Sequence, residues 1–119
     1  MGVVYYANYL HWFEIGRTEF IRQKGLAYRE LEQRGLYLPV REAGCRYVQG
    51  AIYDEIVQIG TQVVAMSRAS VTFGYEIRNE DQCRQLATGT TQLALVRDDG
   101  RPVPFPEDIK KILSQTAGI

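Results

Sequence analysis

Gly2-Val3-Val4-Tyr5-Tyr6-Ala7-Asn8-Tyr9-Leu10 opens the chain and runs directly into His11-Trp12-Phe13-Glu14-Ile15-Gly16-Arg17-Thr18-Glu19-Phe20-Ile21. The spacing predicts one long helix from about Ala7 to Lys24. Leu10, Phe13, Gly16 with Arg17, Phe20 and Ile21 recur at intervals of three and four, which aligns them as one stripe. Trp12 and Ile15 broaden that stripe, so the helix is expected to be wrapped by the rest of the fold. Lys24-Gly25 ends it, with a cation in the last turn and a glycine able to turn left-handed. A second, short helix fits Ala27 to Gln33 and closes in the same way at Arg34-Gly35.

Beyond Gly35 the apolar period changes from helical to two. Four strands are predicted, at about Tyr37–Gln49, Glu55–Met66, Ala69–Arg78 and Gln85–Val96. In the third, Val71, Phe73, Tyr75 and Ile77 share one face. In the second, Val57, Ile59, Thr61 and Val63 alternate with Gln58, Gly60 and Gln62. Such alternation marks antiparallel strands with one buried face. The links Tyr53-Asp54, Asn79-Glu80-Asp81 and Asp98-Asp99-Gly100 are short and polar, as in hairpin loops. A closing helix is expected from Glu107 to about Ser114, with Pro106 and Glu107 suited to its first turn. Helices followed by a run of strands give an α+β domain, a long helix on an antiparallel sheet.

Composition narrows the function classes. At 119 residues the chain fits one domain, residues 1–119. Hydrophobic residues are 45% and charged residues 24%, ordinary for a globular protein. Fourteen basic residues balance fourteen acidic ones, so no global field draws the chain to nucleic acid or anionic lipid. Its apolar runs fall far short of the ~20 residues of a membrane helix. No signal peptide opens it, and Cys45 and Cys83 lack metal-ligand spacing, so a reducing cytoplasm is expected.

The opening block, with Trp12-Phe13-Glu14 and Arg17-Thr18-Glu19, resembles hotdog-fold acyl-CoA thioesterases of the 4-hydroxybenzoyl-CoA type. It is close to the branch found in bacterial Tol-Pal gene clusters. Tyr53-Asp54-Glu55, Arg68-Ala69-Ser70-Val71 and Gly100-Arg101-Pro102 continue the resemblance along the chain. It implies a long helix wrapped by a curved antiparallel sheet. It also implies homodimers or homotetramers with active sites between subunits, and an acyl-CoA substrate with no separate cofactor or metal.

The same resemblance implies the chemistry. A backbone N–H at the start of the helix, at Tyr6, polarises the thioester carbonyl, and Tyr5 and Asn8 lie against the substrate. The attacking carboxylate is an aspartate two residues before Met1, and the family's first strand would also lie upstream. A record started at an internal methionine, or a natural short form, would account for both. Taken from the residues alone, Tyr5, Tyr6 and Tyr9 anchor the helix by packing. A tyrosine side chain, with a reference pKa of ~10, is a poor base at neutral pH. Glu14 is the notable carboxylate within the sequence. It sits between Phe13 and Ile15, with Arg17 and Thr18 as expected partners in a structural ion pair, and catalysis as the alternative.

Arg68 and Ser70 match a cofactor-phosphate patch, and Arg68 also reads as a plain turn arginine. Val40, Phe73 and Tyr75 are candidates to line the acyl pocket. His11 is the only histidine and is expected at the surface or rim, although a histidine with a carboxylate keeps a dehydratase open. A non-catalytic module that binds acyl-CoA or serves assembly is the other alternative.

Overall fold

The computed structural model describes residues 7–48, 56–80 and 85–114, with the side chains of residues 7 and 8 outside that set. In chain order the elements are α1 (Ala7–Gln23), α2 (Tyr28–Gln33), β1 (Leu36–Tyr37), β2 (Val40–Tyr47), β3 (Val57–Met66), β4 (Ser70–Asn79), β5 (Gln85–Ala94), β6 (Val96–Arg97) and α3 (Glu107–Ser114). Gly25 and Gly35, at φ 89° and 73°, make the left-handed turns that stop α1 and α2.

Four strands form one antiparallel sheet in the order β2-β5-β4-β3, and β1 and β6 form a separate pair. Two predicted strands are each divided in two. Pro39 separates β1 from β2, since it has no N–H for a ladder, while its carbonyl accepts from the Ala94 N–H at 3.1 Å. Leu95 separates β5 from β6 and donates to the Ala69 carbonyl at 2.8 Å.

The Tyr53-Asp54 link lies outside the described residues, and the strands on either side of it are not hairpin partners: β2 and β3 are opposite edges of the described sheet. Period-two alternation identifies a strand but not its neighbour, which is why the sequence suggested otherwise. β4 and β5 do pair directly, as the link beginning Asn79-Glu80 led us to expect.

α1 lies across β5, β4 and β3. Its buried stripe runs through Tyr9, Phe13, Gly16 and Ile21, with Phe20 half-buried beside it. Leu10, expected in that stripe, is 37% exposed, and Tyr9 takes the buried place instead. Ile15, expected to broaden the covered surface, is 46% exposed, so that side of α1 is open among the described residues.

Phe13 stacks on Tyr75 with ring centroids 4.5 Å apart, and Phe20 meets Phe73 edge-on at 5.7 Å. Two glycines permit this closeness. A Cβ on Gly16 would sit 2.5 Å from Thr61 Oγ1, and one on Gly89 would sit 2.3 Å from the Phe13 ring. At the other end of the molecule Leu26, Leu31, Phe105, Ile109 and Leu113 are buried. There Arg34 grips Asp108 through two hydrogen bonds, at 3.2 and 2.6 Å, and ties α2 to α3.

Candidate active site

The alternate residues of β4 that face α1 are all buried, whereas β2 is exposed along its length apart from half-buried Cys45. α1 therefore leaves a trough on its β2 side. Leu10, Glu14 and Arg17 follow one another along that flank at intervals of four and three. With His11, Val40, Ala43 and Thr91 they line a cavity of about 330 Å³.

Glu14 is not held as expected. Its side chain is 62% exposed, and the group beside it is His11, whose Nδ1 lies 4.0 Å from Glu14 Oε2. Facing outward on α1, Glu14 needs no buried partner, and Arg17 turns to the interior. His11, 66% exposed, is the rim histidine expected.

Arg17 is half-buried among neutral hydroxyls. Tyr28 and Tyr75 both lie within its hydrogen-bonding reach, and the Tyr75 hydroxyl meets Thr91 Oγ1 at 2.5 Å. Burial pushes both phenols above their ordinary range, partly opposed by Arg17 and, at Tyr75, by Thr91. Both are therefore uncharged at neutral pH. Arg17 Nε is shielded from solvent and has no partner among the described residues. The sequence placed Arg17 on the helix stripe as a partner for Glu14; its four-residue distance from Phe13 was the only hint of an inward course.

The amino end of α1 carries no acidic residue in its first turn. Its free N–H groups and positive dipole end are thus not neutralised by a carboxylate of its own. Just inside, Tyr9 packs edge-on against Trp12 at 5.1 Å and Tyr47 at 4.9 Å. Tyr5, Tyr6 and the side chain of Asn8 lie outside the described residues.

Arg68 is exposed in the β3–β4 turn, where its carbonyl accepts from the Phe105 N–H at 3.0 Å. Ser70 opens β4, with its hydroxyl 2.5 Å from that of Ser67. The register sets Ser70 opposite Ala94, while Tyr47 and Ile77 both pair with Ala87 at the far end. Seven residues of strand, about 23 Å, separate Ser70 from that end. One chain therefore does not bring Arg68 and Ser70 to the start of α1.

Of the pocket candidates, Val40 lines the trough. Phe73 is fully buried against Phe20, and Tyr75 reaches the trough only through its contacts with Thr91 and Arg17. A larger hollow of about 450 Å³ lies among Gly60, Gly74, Glu76 and Thr88. Its carboxylate is occupied: Arg78 and Gln85 hold Glu76 at 2.5 and 2.6 Å and keep its carboxyl below the usual range.

Among the described residues, no three His, Cys, Asp or Glu side chains gather as metal ligands. No described helix is long and apolar enough to cross a membrane.

Comparison with known proteins agrees with this architecture. The family model of the thioesterase-like superfamily matches residues 1–113. The acyl-CoA thioesterase YbgC of Haemophilus influenzae is 34% identical over 92% of this chain and 80% of its own length. The DHNA-CoA thioesterase of Staphylococcus aureus superposes with a TM-score of 0.88 at 32% identity, covering 94% of this chain and 77% of that one. A hypothetical protein of Thermus thermophilus gives a TM-score of 0.87 at 32% identity, covering 96% and 86%. With its helix laid across a four-stranded antiparallel sheet, the chain belongs to the thioesterase-like superfamily of hotdog-fold thioester hydrolases.

Proposed function

We propose that this chain hydrolyses acyl-CoA thioesters that carry a small or aromatic acyl group. The observation that carries this is the amino end of α1, free of acidic residues in its first turn, on the helix that borders the α1–β2 cavity. In this reading a backbone N–H at Tyr6 holds the carbonyl oxygen as it becomes an oxyanion, with Tyr5 and Asn8 beside it. One such donor contributes about 3 kcal/mol, or roughly 10²-fold or more in rate. The attacking carboxylate is the aspartate that the family carries upstream of the Gly2 block, with Glu14 the alternative on the cavity.

Coenzyme A enters as part of the substrate, its phosphates met by Arg68 and Ser70. Since one chain holds these about 23 Å from the α1 end, a second copy supplies them, in a homodimer or homotetramer. Leu10, Val40 and Tyr47, all 37–43% exposed around the trough, suit such a contact.

Release of free thiol from benzoyl-, 4-hydroxybenzoyl- and short-chain acyl-CoA tests the reading. Thiol release is expected, and faster from a chain extended upstream through the aspartate. Saturable acyl-CoA binding without thiol release from either chain would instead make this a binding module. The His11–Glu14 neighbourhood supports a second reading as a hydratase or dehydratase. Addition of water to an enoyl-CoA, followed by loss of its ultraviolet absorbance, would favour that reading.

A further inference from the structure

Arg17 brings a full positive charge to the wall of the α1–β2 cavity, yet its partners are the uncharged hydroxyls of Tyr28 and Tyr75. Among the described residues no carboxylate forms an ion pair with it. Its Nε is closed off from water with no acceptor among the described residues. A guanidinium is a fork of five donors with no acceptor, and a shielded donor left unpaired is rare because it forfeits its bonds to water. Such a fork fits the in-plane lone pairs of an oxygen ligand. Glu14, on the same cavity, turns outward beside His11 and does not fill that role.

We infer that Arg17 determines acyl specificity by binding an acceptor oxygen, a ring hydroxyl or a carboxylate, at the end of the acyl group remote from the thioester. This rests on the thioesterase reading for where the carbonyl lies. At 1.5 Å per residue, Arg17 is about 15 Å along the axis from Ala7. Helical side chains lean back toward the amino end. An acyl group with its carbonyl at the start of α1, lying along this flank, presents its far end to the guanidinium. Leu10, Val40 and Ala43 offer the apolar wall for its hydrocarbon part.

Matched substrate pairs test this: 4-hydroxybenzoyl-CoA against 4-methylbenzoyl-CoA, and glutaryl-CoA against pentanoyl-CoA. The wild-type chain is expected to favour the oxygen-bearing member by roughly tenfold or more in kcat/KM, because a site built to bond an oxygen rejects the analogue that lacks it. Arg17→Met is expected to collapse that ratio to within about twofold, and Arg17→Lys to keep part of it. A wild-type ratio near one overturns the inference. So does an Arg17→Met chain that loses rate equally on both members, which is the mark of a residue that only ties α1 to α2 and the sheet.

Binding of the free acids, 4-hydroxybenzoate against 4-methylbenzoate, followed by NMR shifts, separates this inference from the thioesterase reading. Preference for the hydroxy acid in wild type, lost in Arg17→Met, supports Arg17 even where no thioester is cleaved. Equal binding by wild type removes it even where hydrolysis is fast. Coenzyme A serves as the control: if Arg17→Met weakens inhibition by coenzyme A and leaves the acyl ratio intact, the cation serves phosphate and the inference fails.

Discussion

β4 and β2, of ten and eight residues, lie in one sheet with β5 between them, and α1 treats them differently. The inner face of β4 is sealed from Val71 to Asn79, whereas β2 has no fully buried residue. Geometry accounts for the contrast. A helix is about 10 Å across and strands are about 4.8 Å apart, so one helix cannot cover all four strands evenly. Gly16 and Gly89 draw α1 down onto β3, β4 and β5, and β2 stays largely exposed, met by Tyr9 at Tyr47. The sealed half supplies stability; the open half has the cavity, its polar groups and the exposed apolar rim.

The contrast can be tested by substitution, beginning where the effect is greatest. Phe13→Ala removes a fully buried ring from the sealed half and is expected to cost about 3–5 kcal/mol in urea denaturation. A cost near 1 kcal/mol would mean that α1 is not clamped there. Gly89→Ala pushes a methyl group against that ring and the Gly44 carbonyl, for about 1–3 kcal/mol. Unchanged stability would show that α1 can lift away without penalty.

On the open half, Leu10→Ala and Val40→Ala are expected to change stability by only about 0.5 kcal/mol where the chain is dilute enough to be single, and by more where a second copy covers them. A cost approaching that of Phe13→Ala would show that something covers β2 in solution, and sedimentation would identify a second copy. Glu14→Gln is expected to lower kcat by less than about tenfold if the upstream aspartate is the base, whereas a loss of ~10² or more assigns that work to Glu14.

The smallest effect lies away from both halves, at Arg34 and Asp108. Arg34 holds the Asp108 carboxyl below its ordinary value. That contribution is therefore present above the unfolded-state value and is lost as the pH falls through the folded one. Both side chains are about half exposed, so the gain is small. The Tm difference between wild type and Asp108→Asn is expected to narrow with acidification below the carboxylate range. A gap that stays constant would show that the ion pair contributes nothing.

Much of this was legible in the residues because it is local. The helical stripe, the glycine stops after α1 and α2, the strand alternation and the Glu107–Ser114 helix each depend on neighbours a few positions away. The resemblance carried by the opening block placed the fold family. Less of the candidate site was legible. Glu14 looked like a partner of Arg17 because the two are three residues apart, but a helix flank can turn one side chain out and the next inward. Arg68 and Ser70 were matched to a phosphate patch, but where that patch lies was not legible, since strand register sets them at the far end of β4 from Ile77.

Composition, period and turn residues thus determined which segments are helices and strands and that they form an α+β fold, since those signals are written in adjacent residues. Tertiary structure alone decided that β2 and β3 are edges of the described sheet and that α1 leaves most of β2 exposed. It also decided that the Arg17 guanidinium lies among hydroxyls with a donor to spare. Each of these depends on contacts between residues far apart in the chain, where a helix of fixed width meets a wider sheet and two glycines set how closely it approaches.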